Sequence, residues 1–101
     1  MKNITFYRRF ADDILAGRKT ITLREASDAQ FAAGDRVRVS GYEDGEYFCT
    51  IDVIAVTPVQ FDALNDQHAR QENMTLPELK KTIGDIYPGL KALFMIEFRL
   101  V

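Results

Sequence analysis

Lys19, Thr22 and Arg24 place an amine, an alcohol and a guanidinium within one short stretch, Gly17-Arg18-Lys19-Thr20-Ile21-Thr22-Leu23-Arg24. A lysine can serve a threonine as general base only when its ammonium is destabilised. An ordinary lysine of pKa ~10.4 is neutral in about one molecule in 2,500 at pH 7. Tuning it to about 7–8 is a differential cost near 4 kcal/mol, which burial and neighbouring cations can supply. Arg18 and Arg24 are such neighbours. The competing reading is a surface lysine at a strand start and a threonine chosen for β propensity, its hydroxyl solvated.

Strand parity sets a condition on the chemical reading. In a regular strand beginning at Lys19, that side chain would point with Ile21 and Leu23, away from Thr22 and Arg24. The pair converges only if Lys19 lies in the turn that leaves a helix ending at Gly17, before the pleat begins. A third candidate is distant in sequence. At 100° per residue, Phe61, Leu64, Asn65, His68 and Glu72 form one stripe of a helix. A carboxyl that continues an apolar stripe is desolvated, its pKa rises, and it becomes a general acid near neutral pH. Alternatively the helix ends by Arg70 and Glu72 lies in a loop. His68, the only histidine, is expected in the same cleft, orienting Glu72 and touching substrate. With no second His or Cys at ligand spacing, no metal site is expected. Cys49, alone on an apolar strand face, reads as a buried inert thiol.

The elements that must position these groups are legible in outline. Ile4 to Tyr7 reads as a strand; Phe10, Ile14 and Leu15 recur at helical spacing before Gly17; Thr20 to Arg24 is a second strand. Arg36 to Ser40 alternates, and Asp44-Gly45 is a hairpin turn leading into Tyr47 to Val56, with Pro58 expected to end that strand. In it Tyr47, Cys49, Ile51, Val53 and Ala55 are expected on one face. A helix is expected from about Phe61 to Arg70. A second begins at the capping box Thr75-Leu76-Pro77-Glu78 and runs to about Ile83. Leu93 to Leu100 is a last strand, with Phe94, Ile96, Phe98 and Leu100 on one side. About five to six mostly antiparallel strands and three helices predict an α+β domain on a curved sheet.

Length and composition narrow the setting. The 101 residues make one domain, 1–101, and the composition, 47% hydrophobic and 28% charged, is that of an ordinary globular protein. No stretch reads as a signal peptide, and the apolar runs at 53–56 and 92–96 are far too short to span a bilayer. One cysteine and no leader predict a reducing, cytoplasmic setting. The net charge of -2 argues against a non-specific polyanion binder. Residues 1–40 are nonetheless basic, with eight Lys/Arg against five Asp/Glu, while residues 41–101 carry five against ten. The basic half suits a phosphate-bearing or electron-rich ligand, or is simply spread over several faces.

Several stretches together resemble a known group. Ile4-Thr5-Phe6, Asp12 to Thr22, Tyr47 to Ile51, Gln71-Glu72-Asn73-Met74-Thr75-Leu76 and Asp85-Ile86-Tyr87-Pro88-Gly89 resemble the small bacterial ASCH-domain N(4)-acetylcytidine amidohydrolases over essentially the whole chain. The Gly-x-Lys-x-x-Thr-x-Arg core is shared across the wider ASCH superfamily; the Gln-Glu-Asn-Met-Thr block narrows it to the amidohydrolases. The resemblance implies a PUA-like pseudobarrel with Lys19 as base, Thr22 as nucleophile and Glu72 as acid, and no cofactor. Arg24, Tyr7 and His68 are the expected substrate contacts, with Phe6 and Tyr47 as further aromatic candidates for stacking on the base. It implies a monomer acting on a nucleoside, with no membrane partner. The rival expectation is an RNA-binding or RNA-processing PUA-like module, since such domains are associated with RNA.

Overall fold

The computed structural model describes residues 2–101. Five strands, β1 (Lys2–Phe6), β2 (Ile21–Arg24), β3 (Arg36–Gly41), β4 (Tyr47–Gln60) and β5 (Ala92–Leu100), form one sheet in the order β1-β3-β4-β5-β2. Only β1 and β3 are parallel; the other pairs are antiparallel. Three α-helices accompany the sheet: α1 (Ala11–Leu15), α2 (Asp66–Gln71) and α3 (Leu76–Ile86). The expected α+β curved sheet is therefore present.

Strands β1 and β2 are consecutive along the chain yet lie at opposite edges of the sheet. The short segment between them must cross from one edge to the other, so the sheet curls until its edges face each other. No backbone ladder closes this seam; the Arg24 guanidinium does so, its Nη2 donating to the Thr5 carbonyl at 2.7 Å. The concave face buries Ile4, Phe6, Val37, Val39, Cys49, Ile51, Val53, Ile96 and Phe98, with Ile14 of α1 as a plug. On the outer face Leu23 and Leu93 pack against Leu64, Ala69, Leu79 and Ile83 from the α2–α3 region. Strand β5 is covered on both sides, which explains its unbroken apolar run.

Three expectations are corrected. Strand β4 continues through Pro58 to Gln60. Strand β3 pairs with β4 only as far as Asp52, so beyond it β4 has β5 alone as neighbour and a missing N–H is tolerated. A bulge between Val53 and Ala55 also shifts the face, so that Val56, rather than Ala55, packs against the core beside Ile96. The helix expected over 61–70 is broken. Phe61–Ala63 is a 3₁₀ turn, Leu64 is extended, and α2 starts only after Asn65. Asn65 caps it, its side chain accepting from the Gln67 and His68 N–H groups, and the capping terminates whatever precedes it. The Thr75 capping box forms as expected, although α3 runs on to Ile86.

Helix α1 ends at Gly17 in a Schellman arrangement. Gly17 lies at φ +76°, its N–H reaches Ile14 O, and Arg18 N–H reaches Asp13 O at 2.9 Å. Nothing lies within 4 Å of a Cβ built there, so Gly17→Ala meets only the left-handed backbone penalty. It should cost about 1 kcal/mol in denaturant unfolding, and an unchanged midpoint would show that this turn tolerates any residue.

Candidate active site

The turn after Gly17 decides where Lys19 points. Its N–H also donates to Asp13 O (3.0 Å), and the pleat begins only at Ile21, so Lys19 precedes the alternation. Within β2, Thr22 pairs with Ile96 and Arg24 with Phe94, placing both on the concave face. The condition set by the sequence is met: Lys19, Thr22 and Arg24 line one cavity of about 420 Å³ at the β1–β2 seam.

Glu72 arrives from the other side, by a route the helical stripe did not describe. It is the C-cap of α2, its N–H bonded to His68 O and Ala69 O. Asn73 follows at φ +55°, and Met74 N–H returns to Ala69 O, a second Schellman ending with Asn in the left-handed position. Thr20 N–H donates to Gln71 O at 2.8 Å, joining the end of α2 to the segment that carries Lys19. Two helix ends thus face each other, and Lys19 Nζ donates to Glu72 Oε1. Lys19, Thr22 and Glu72 are 3%, 4% and 5% exposed, so all three side chains are out of bulk water.

The electrostatics favour an uncharged amine. The Lys19 pKa falls from 10.5 to about 7, first through burial, then through the Arg24 charge, with Asp13 opposing. Its surroundings otherwise are rings: Nζ lies 5.1 Å from the Phe10 centroid and 5.6 Å from that of Phe6. Arg24 stacks on Phe6 at 4.8 Å and donates from Nε to Thr22 Oγ1 at 3.0 Å. The threonine oxygen is held as an acceptor, which leaves its own proton to be given elsewhere.

Of the other expected contacts, Tyr7 lines the cavity, its ring 5.0 Å from that of the exposed Tyr42, and Phe6 forms part of the wall. His68 does not reach it. Its Nδ1 accepts from the Asn65 N–H, completing the α2 capping box, so its place is structural. Tyr47 is likewise absent from the wall; its hydroxyl shares a hydrogen bond with Thr50 and its ring lies under Arg38. Cys49 is buried and its thiol is pushed up by desolvation, as expected of an inert cysteine. Sequence reasoning missed the far wall: Asp28, Thr82, Asp85, Ile86 and Tyr87. There Tyr87 Oη donates to Asp28 Oδ2 at 2.6 Å, and burial followed by this bond pushes the tyrosine up to about 12. The resemblance block 85–89 was the available signal for Asp85, Ile86 and Tyr87.

No protein-family model matches the chain. Curated relatives do. An N(4)-acetylcytidine amidohydrolase of Cronobacter sakazakii is 61% identical, covering 100% of this chain and 98% of its own length. One from Escherichia fergusonii is 59% identical over 96% of this chain and 94% of its own, and one from Serratia proteamaculans is 59% identical over 96% and 95%. Among solved structures, an ASCH domain from Lactobacillus crispatus superposes with a TM-score of 0.79 at 16% identity, covering 98% of this chain and 79% of its own. ASCH from Zymomonas mobilis gives 0.76 at 16%, covering 96% and 65%. These two establish the ASCH fold.

The buried Lys19–Glu72 contact predicts strong coupling. Glu72→Met alone strands a buried amine and Lys19→Met alone strands a carboxyl, each costing roughly 3–5 kcal/mol, whereas the double replacement recovers most of the loss. Additive losses in a thermal or denaturant double-mutant cycle would contradict the contact.

Proposed function

Because the chain belongs to the N(4)-acetylcytidine amidohydrolase family, we propose that it hydrolyses the exocyclic amide of N(4)-acetylcytidine, giving cytidine and acetate. The observation that carries this reading is the amine of Lys19, buried, lowered to about 7, and lining one cavity with a threonine hydroxyl and a carboxyl. At pH 7 about half of such an amine is unprotonated, which is what a base needs.

Neutral Lys19 takes the Thr22 proton as Oγ1 attacks the acetyl carbonyl. The remaining guanidinium N–H groups of Arg24, or backbone N–H groups near the start of β2, hold the oxyanion. Collapse of the tetrahedral intermediate breaks the C–N bond, and the departing cytosine amine needs one proton. That proton is the one Lys19 has just accepted, and the Lys19–Glu72 contact is the path that delivers it. Glu72 is thus the acid toward the leaving group. Water then attacks the acetyl-threonine and gives a proton to the same pair. The C–O bond breaks, Oγ1 is reprotonated, and acetate leaves.

The wall also bears on the ligand. Among the described residues its charged members are Lys19, Arg24, Asp28, Glu72 and Asp85. Three carboxyl groups face two cations there, and one of the cations, Lys19, is already bonded to Glu72, so the wall has no excess of positive charge for a phosphate. The guanidinium of nearby Arg8 is engaged with Asp44 and Glu46. A neutral nucleoside fits such a wall better than a nucleotide or RNA strand does. The aromatic edge of Tyr7 and Tyr42 suits stacking on a pyrimidine.

Acetate release from acetylcytidine tests the reading, beside Thr22→Ala, Lys19→Ala and Glu72→Gln. Thr22→Ala should lose roughly a thousandfold or more; turnover surviving it would remove the covalent step. Because the neutral amine is the active form, kcat/KM should rise about tenfold per unit below pH 7 and level off above. A profile still climbing at pH 9 would mean that Lys19 keeps its ordinary proton affinity. Acetylcytidine 5′-monophosphate should be processed roughly tenfold or more less efficiently than the nucleoside. Salt-sensitive RNA binding without acetate release would favour the RNA-binding alternative.

A further inference from the structure

Asp13 is a polar residue outside the cavity wall whose bonds reach both sides of the reactive pair. Its carbonyl oxygen accepts from the N–H groups of Arg18 (2.9 Å) and Lys19 (3.0 Å). Its carboxylate Oδ1 accepts from Arg18 Nε at 2.9 Å and from Asn73 Nδ2 at 3.2 Å. Asn73 is the left-handed residue directly after Glu72. One residue therefore fixes the backbone of Lys19 through its main chain and, through its carboxylate, holds the side chain of Asn73, the residue after Glu72.

We propose that Asp13 is the positioning residue of this site, clamping the end of α1 to the end of α2 so that the Lys19 amine and the Glu72 carboxyl stay in contact. The proposal rests on the reading of Lys19 and Glu72 as base and acid. Asp13 touches neither the cavity nor a bound substrate, so it acts only through those two groups. A helix end of one turn cannot hold a side chain on its own, and misplacing a reacting group by about 1 Å can cost a hundredfold in rate. The Thr20–Gln71 backbone bond fixes the separation of the two segments. The Asp13–Asn73 bond adds a second point of attachment, which removes the remaining rotation about the first.

The same carboxylate acts on Lys19 electrostatically. The charged groups around that amine are Glu72 at the end of α2, Arg24 on β2 and Asp13 on α1, with Asp28 and Asp85 farther off on the cavity wall; its other close neighbours are the Phe6 and Phe10 rings. The Asp13 charge favours the protonated lysine, against burial and Arg24. Position and charge can be separated experimentally, because an asparagine keeps an oxygen acceptor and loses the charge.

The test compares Asp13→Asn and Asp13→Ala with wild type in kcat and KM across pH 5–9, with thermal melts, alongside a crystal structure of Asp13→Ala. Asp13→Asn should retain most of kcat while its acid limb moves to lower pH by roughly half a unit. Asp13→Ala should lose roughly tenfold to a hundredfold in kcat with KM little changed, and its structure should show Lys19 and Glu72 apart. If Asp13→Ala does not fold, Asn73→Ala removes the other end of the same bond and should lose kcat likewise, and wild-type kcat in Asn73→Ala overturns the proposal. Wild-type kinetics in either variant, or an intact Lys19–Glu72 contact in Asp13→Ala, also overturns it. If wild type releases no acetate, the catalytic reading fails, and the Asp13→Ala structure still decides whether Asp13 holds the pair.

Discussion

A lysine taken out of water beside a carboxyl is the constraint on which the rest of this structure depends. Left alone, a buried ammonium would cost several kcal/mol, and a buried carboxylate as much. Each is tolerable because the other is there, and because a single proton can pass between them. The fold supplies such a place at the seam of the curled sheet. There β1 and β2 approach without a backbone ladder, and the side chain of Arg24 closes the gap. Arg24 thus holds the barrel shut, adds a positive charge beside Lys19 and binds the oxygen of Thr22. Closure of the seam and the electrostatics of Lys19 depend on the same guanidinium.

Two helix endings then aim the pair. Gly17 and Asn73 each take a left-handed conformation, and each reverses the chain next to a buried side chain of the site that turns inward. Lys19 follows the first and Glu72 precedes the second. A carrier on a regular strand would have been forced to alternate; a carrier on a helix face would have been fixed by the 3.6 period. Turns free both side chains from those periods, and the bonds between Thr20 and Gln71 and between Asp13 and Asn73 restore the precision that turns lack.

This explains which parts of the site could be read in the sequence. Gly17 announced the helix stop, and with it the one geometry in which Lys19 and Thr22 could share a side of β2. The Asp44-Gly45 hairpin and the Thr75 cap were equally plain, since each depends on residues adjacent in the chain. Glu72 was found with the wrong helix: periodicity carried the stripe through Asn65, whereas the side chain of Asn65 starts a new helix there. The pattern of Asn65 with His68 three residues on was the available cue, and it also explains why the only histidine is spent on a cap. Pro58 misled because whether a strand needs its N–H depends on how far the neighbouring strand extends, which is a tertiary fact. Asp28 and Thr82 carry no local signature at all. They meet Lys19 and Thr22 across one cavity only because the sheet curls.

The account turns on the charge state of one amine, and that can be read directly. With lysine labelled by ¹³C at Cε, the Lys19 resonance, assigned by its loss in Lys19→Arg, is followed by NMR as pH is raised. A midpoint near 7 is the result expected of an amine held in this seam. A midpoint near the ordinary 10.5 would mean that Lys19 stays an ammonium throughout the working range and cannot be the base.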